Sequence, residues 1–380
     1  MDIYLDNAAT TYPKPDSVLQ AMEDYFKNVG GSFGRSAHKR SNEASRLVFE
    51  SREEIAKLVQ AEDSSQIIFT SNATEGLNAA ILGILGEGDR VVTTSMEHNS
   101  VMRPLRFLQK EKGVKVDIVK CTRKGMLDWD DMEKKVAIDT QLIVATAVSN
   151  VVGTIMPIHQ MGMIARERDI PFLVDGAQAV GIIPMDVKKD NIDLLAFSGH
   201  KGVLGPQGTG CLYIGEDIDL RPLKFGGTGS RSEYEMQPDF LPDKHESGTP
   251  NLIGIVGLGA AVKFVLEQGV ENIRRKGKEL TAYLLGKLNA MDNLIIYGPL
   301  NADQQTSVIS INIKLKDSSE IGDILDKRYD IAVRCGLHCA PIAHRTIGTF
   351  PAGTVRISLG YFNTQEDIDY LLRALREIAT

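Results

Sequence analysis

Between residues 66 and 214 short apolar runs alternate with stretches of helical periodicity, and this alternation constrains the fold more than any other feature. Residues 66–70, 90–94, 115–119, 142–147, 171–175, 194–197 and 210–214 read as strands. Residues 74–85, 101–112 and 158–168 carry the three-to-four-residue apolar spacing of helices. Strands that are apolar throughout, separated by helices, imply a mainly parallel sheet covered on both faces. In such sheets a ligand sits beyond the carboxyl ends of the strands.

The pattern changes after about Gly248. Helical periodicity over 252–267 and 270–290 is followed by a strand-like run at 307–313, a helix near 319–327, a second run at 354–359 and a final helix from Thr364. These segments predict a smaller α+β unit. The stretch 225–250 has no regular pattern and is long enough to suggest a functional loop. A chain of 380 residues is large enough for two domains.

Composition narrows the class of partner. The net charge is −7 and the basic residues are scattered, which argues against nucleic acid. Runs such as Arg274-Arg275-Lys276 read as solvated helix faces. The amino terminus lacks the basic start and apolar run of a signal peptide. No apolar stretch approaches the roughly 20 residues of a membrane span, so a cytoplasmic protein with no membrane partner is expected. Cys121, Cys211, Cys335 and Cys339 are too few for a disulfide scaffold and are expected as free thiols.

Four features carry chemistry. Ser198-Gly199-His200-Lys201 follows an apolar run and precedes a glycine-rich loop through Gly208. A lone lysine at a strand end is ordinarily a solvated surface residue, but lysine also forms Schiff bases with carbonyl cofactors. Asp175 ends the buried run Phe172-Leu173-Val174, where a carboxylate needs a compensating partner; helix capping is the plainer role. Small and hydroxylic residues from Ser71 to Gly76 open a helix, leaving N–H groups for a phosphate or merely capping it. His98 follows another strand, where it can stack on a planar ring, move protons or serve structure alone. All four lie at the carboxyl ends of different expected strands, where one pocket forms.

These residues, taken with others, resemble the class V aminotransferase family of fold-type I pyridoxal-phosphate enzymes, and within it the cysteine desulfurases and selenocysteine lyases. The resemblance runs from Tyr4-Leu5-Asp6-Asn7-Ala8-Ala9-Thr10-Thr11 through Glu97-His98-Asn99-Ser100, Val148 to Thr154, Asp175-Gly176-Ala177-Gln178, Ser198 to Lys201 and Glu246 to Asn251. It ends in Arg334-Cys335-Gly336-Leu337-His338-Cys339-Ala340-Pro341 and Val355-Arg356-Ile357-Ser358-Leu359. It implies a large α/β domain over 14–250 with a mainly parallel seven-stranded sheet. Residues 1–13 and 251–380 would form the smaller α+β domain.

The resemblance also implies roles. Lys201 looks like the Schiff-base lysine for pyridoxal 5'-phosphate, Asp175 like the partner of its ring nitrogen, Gln178 like the donor to its phenolic oxygen and His98 like the stacking residue. Ala73, Thr74, Ser198 and His200 resemble phosphate ligands. Thr249 resembles a residue reaching the neighbouring subunit's phosphate, which implies a homodimer. Asn150, Arg356 and Ala8 resemble substrate contacts, and guanidinium suits a carboxylate because it donates two parallel hydrogen bonds.

Cys339 narrows the reaction. Its Gly- and Pro-flanked segment, with His338 and Arg334 nearby, favours an exposed thiol of lowered pKa. In cysteine desulfurases a cysteine at the matching motif takes sulfur as a persulfide, and alanine is released. The short motif is similar to the group II (SufS-like) enzymes. Two departures stand out: Pro341 follows Ala340 where that group has Gln-Pro, and Cys335 is an extra thiol, either a sulfur or selenium acceptor or a passive residue. A metal site built from Cys335, His338 and Cys339 fits by residue type, but the surrounding motif already has a role and no metal is expected. The expected substrate is L-cysteine or L-selenocysteine, with an acceptor protein for the mobilised atom. The alternatives are a selenocysteine-specific lyase, a class V aminotransferase and a non-catalytic scaffold.

Overall fold

The computed structural model describes residues 3–34, 38–230 and 233–379. In chain order its elements begin with β1 (Ile3–Tyr4), α1 (Asp16–Asp24), α2 (Lys39–Val59), β2 (Ile67–Thr70), α3 (Ala73–Ile84), β3 (Arg90–Thr94) and α4 (Asn99–Lys112). Next come β4 (Lys115–Val119), α5 (Trp129–Lys135), β5 (Thr140–Thr146), α6 (Ile158–Glu167), β6 (Phe172–Asp175), β7 (Leu194–Ser198) and β8 (Gly210–Ile214). The remainder comprises α7 (Leu252–Gln268), α8 (Val270–Leu288), β9 (Leu294–Tyr297), β10 (Val308–Ile313), α9 (Ser318–Tyr329), β11 (Ile331–Ala332), β12 (Arg334–Gly336), α10 (Pro341–Ile347), β13 (Thr354–Ser358) and α11 (Gln365–Ala379).

Strands β2 to β8 form one sheet in the order β2-β8-β7-β6-β5-β3-β4. All neighbours pair in parallel except β8, which runs antiparallel to both β7 and β2. The reason is local: the chain turns from β7 into β8 without a helix, and only antiparallel neighbours accept so short a return. Both faces of the sheet are covered by apolar clusters. One holds Ile143, Phe172, Val174 and Phe197; the other holds Leu77, Val91, Val144, Leu173 and Leu212.

A second, antiparallel sheet, β12-β13-β10-β9, carries its own cluster, in which α8, α9 and α11 pack against Ile309, Ile311, Val355 and Ile357. The short parallel pair β1-β11 brings the amino-terminal segment to this second sheet. Asp6 forms a bridge to Ser358, and Ser358 Oγ donates to Leu5 O. Among the described residues no single helix is long and apolar enough to cross a membrane.

Several elements escaped the sequence pattern, among them α2, β12 and α10. The stripe of α2 includes the buried polar residues Ser51 and Arg52, which dilute its apolar periodicity. Strand β12 is three residues long. Helix α10 starts on Pro341, directly after Cys339-Ala340, with Pro at its first position. The loop at 225–250 contains no helix or strand among its described residues. It is pinned by Glu246, whose carboxylate accepts from Phe69 N (2.7 Å) and takes both Nη atoms of Arg52 at 2.8 and 2.9 Å.

Candidate active site

The expected residues converge where the strands of the large sheet end. Asp175 closes β6 and is 4% exposed. Its Oδ1 accepts from Ala177 N at 3.0 Å, and no salt bridge neutralises it among the described residues. Burial raises its pKa, opposed by the Ala177 N–H and by Lys201. The chain then turns tightly to Gln178, whose Nε2 donates to Ala8 O at 2.8 Å.

Lys201 follows β7 on a turn that needs glycine. A Cβ on Gly202 would stand 2.5 Å from Val180 O, and one on Gly181, at φ +82°, would stand 2.5 Å from Gly202 O. Two backbones therefore touch beneath Lys201, a contact any side chain would break. Lys201 Nζ has no hydrogen bond or salt bridge among the described residues. Desolvation pushes its pKa down to about 8, with Asp175 pulling upward and Arg356 and Arg334 pushing further down.

Helix α3 starts beside this turn. Asn72 caps it through Glu75 N, Ala73 N donates to Ser198 Oγ at 3.0 Å, and Thr74 Oγ1 lies 2.7 Å from Ser100 Oγ. Ser100 Oγ is in turn 2.9 Å from His98 Nδ1, which also accepts from Ser100 N. Nδ1 is thereby an acceptor, and the ring proton belongs on Nε2. Burial, then the cations Lys201, Arg334, Arg103 and Arg356, lower the His98 pKa to about 4, so the ring is neutral at physiological pH. His200 Nδ1 is buried without a hydrogen-bond partner, and burial lowers that ring to about 4 as well.

The smaller sheet contributes from the other side. Arg356, in β13, is 1% exposed; its Nη2 is 2.7 Å from Asp6 Oδ1 and its Nη1 donates to Asn150 O at 3.1 Å. Asn150 Nδ2 donates to His338 O at 2.6 Å. Asp6 was not singled out from sequence; its place in the amino-terminal motif was the available signal.

Cys339 is exposed, 3.7 Å from Arg334 Nη2. It and His338 both occupy left-handed backbone, φ +58° and +48°. The turn is held at three points: Cys339 O accepts from Asn99 N, His338 O from Asn150, and Leu337 O from Ala340 N. Thr74, His98, Arg103, Phe107 and Cys339 line one open cavity.

One expectation needs correction. His338 does not supply positive charge to the thiol, because it is 3% exposed and burial pushes its pKa down to about 2. The cation at Cys339 is Arg334. Cys335 faces away from the site: it packs against the small-sheet cluster beside Gly322, and burial raises its pKa to about 11. No group of three metal-ligating side chains occurs among the described residues. Thr249 lies apart from Lys201, in a cavity shared with Ser32, Phe33 and Thr228.

An unpaired lysine of lowered pKa, a buried carboxylate without a cation and a hydroxyl-lined helix start stand together at the strand ends of the large sheet. The aminotransferase class-V model matches residues 3–371. The chain is 38% identical to a probable cysteine desulfurase of Methanothermobacter thermautotrophicus, over 99% of this chain and 94% of that protein. It is 33% identical to a cysteine desulfurase of Haloferax volcanii, over 98% of this chain and 88% of the relative. The apo structure of a cysteine desulfurase from Thermococcus onnurineus NA1 superposes with a TM-score of 0.94 at 33% identity, covering 100% of this chain and 94% of that one. With the fold and the sequence match in agreement across its length, the chain belongs to the class-V aminotransferase family.

Proposed function

We propose that this chain is a pyridoxal-phosphate-dependent cysteine desulfurase that converts L-cysteine to L-alanine and takes the sulfur on Cys339. The observation that carries the reading is an exposed thiol, held on a fixed turn beside Arg334, on the cavity that His98 lines and within the electrostatic reach of Lys201.

The residues present fit the cofactor. Lys201 Nζ is unpaired, Asp175 is a buried carboxylate lacking a cation, and Ala73, Thr74, Ser198 and His200 cluster where an anion meets the start of α3. Pyridoxal phosphate, when bound, supplies a carbonyl for the substrate amine and a ring that accepts electrons from Cα. Asp175 would hold a proton on the ring nitrogen and Gln178 would donate to the phenolic oxygen. Lys201, near neutrality at about 8, anchors the cofactor and moves the Cα proton. His98 would cover the ring, with Nε2–H available as a hydrogen-bond donor.

Arg356 and Asn150 hold the substrate carboxylate, with the Ala8 backbone closing the other side. The Cys339 thiolate attacks the substrate sulfur; the Cβ–S bond breaks, its electron pair stays on carbon and protonation completes alanine. Arg334 Nη2, 3.7 Å from Sγ, stands beside the sulfur that Cys339 takes up. Thr249 is exposed, in a cavity that Lys201 does not line, which supports a homodimer in which it reaches the partner's site. The separate cluster of the second sheet supports a division into 14–250 and 1–13 with 251–380, although α7 packs with the large-sheet cluster.

Turnover of L-cysteine and L-selenocysteine by the reconstituted wild type and Cys339→Ala tests the reading. Alanine formation from cysteine that is lost in Cys339→Ala is expected. Rejection of cysteine by the wild type overturns it in favour of a selenocysteine lyase. Full activity of Lys201→Ala would sink the scheme entirely.

A further inference from the structure

The sulfur left on Cys339 has to be delivered, and the turn that carries it is tied to the elements around it. Its carbonyl is bonded to Asn99 N at 2.8 Å, the preceding carbonyl to Asn150 Nδ2 at 2.6 Å, and α10 begins two residues later. The acceptor must therefore enter the cavity. Outward from Cys339 that cavity is lined by Asn78, Arg103, Pro104 and Phe107. Arg103 lies on α4, a helical turn beyond Asn99, which holds the Cys339 carbonyl. It is exposed and has no salt bridge among the described residues. The inner cation of the site is different: Arg356 is buried and already paired with Asp6.

Building on the desulfurase reading, we propose that the outer cavity is a binding site for a small thiol carrying a carboxylate, with Arg103 gripping the carboxylate while the thiolate takes sulfur from Cys339. The thiolate attacks the outer sulfur of the Cys339 persulfide. One sulfur–sulfur bond forms, the bond to Cys339 Sγ breaks, and its electron pair remains on Sγ as a thiolate. The sulfane sulfur keeps its oxidation level, so no external oxidant or reductant enters. Phe107 and Pro104 cover the aliphatic part of such a molecule, and Asn78 offers an amide.

The test compares two probes on persulfidated holoenzyme: 3-mercaptopropionate, which is anionic, and 2-mercaptoethanol, which is neutral. Discharge is followed as loss of Cys339 persulfide by intact mass, at matched thiolate concentration to remove the difference in thiol acidity. The ratio of the two second-order rate constants is the readout, because any change in persulfide reactivity cancels within each variant. Wild type is expected to favour the anionic thiol about three- to five-fold, as befits a solvent-accessible ion pair. Arg103→Met should bring the ratio to that of free persulfide, and Arg103→Lys should restore most of it. A wild-type ratio equal to that of a small-molecule persulfide, a preference that survives Arg103→Met, or discharge by neither thiol overturns the proposal. Failure of cysteine to load any persulfide onto Cys339 overturns the desulfurase reading instead, and the two failures are distinguishable.

Discussion

Glu97 offers a test of how the floor of the site is built. It is fully buried, and its Oε1 accepts from Thr94 Oγ1 at 2.5 Å and from Thr146 N at 3.0 Å. Oε2 has no partner, and no cation pairs with the carboxyl. Thr146 is the cross-strand neighbour of Asp175, so the nearest charge is another acid. Burial, the largest influence, and Asp175 together hold the Glu97 pKa at about 8 against 4.5, although Thr94 and Thr146 pull downward. Cys121, which feels Glu97, is itself pushed up to about 11 by burial.

The sign follows from which state binds the proton more tightly. The folded state does, so stability from Glu97 is complete below 4.5 and is lost as pH rises through that value toward about 8. At about 1.4 kcal/mol per tenfold change in proton affinity, the full loss is at most about 5 kcal/mol, and relaxation of the site reduces it to about 2–4 kcal/mol. Glu97→Gln keeps the acceptor at Oε1 and cannot ionise. Its urea-unfolding midpoint should match wild type near pH 5 and exceed it increasingly to pH 9, when both are measured without cofactor. A difference that stays flat between pH 5 and 9 would refute a protonated Glu97.

The remaining predictions concern the pinned loop and the extra thiol. Arg52→Met leaves the Glu246 carboxylate in a largely buried place without its cation, at a cost of about 3–5 kcal/mol. Limited proteolysis should then cut within 225–250 sooner than in wild type, and an unchanged cleavage pattern would show that the pair does not hold the loop. Cys335→Ala should change stability by no more than about 1–2 kcal/mol and leave alanine release from cysteine intact; loss of turnover would give Cys335 a chemical part.

The large sheet was legible because its strands are buried on both faces and read as uninterrupted apolar runs. The direction of β8 was not contained in that pattern, since hydrophobicity carries no polarity; it follows from the helix-free connection after Lys201. Helix α2 was hidden by Arg52, a charge spent inside the protein on Glu246. Within the site, the residue types singled out from sequence do stand where strands of the large sheet end. Their partners did not follow from type: the Arg356–Asp6 pair joins residues 350 positions apart, and the proton position on His98 depends on Ser100. His338 misled for the same reason, because its neighbour in sequence is exposed while its own ring is enclosed.

The paired left-handed residues His338 and Cys339 have a kinetic meaning. Backbone of this kind costs on the order of 1–3 kcal/mol per residue, a cost met once during folding. In return the thiol needs no search before it meets the substrate sulfur. Fixed reactants of this kind behave as though present at effective molarities of about 10⁵ M or more. Millimolar thiols added to Cys339→Ala would fall many orders of magnitude short of that, so chemical rescue of the variant is not expected even with an unobstructed cavity.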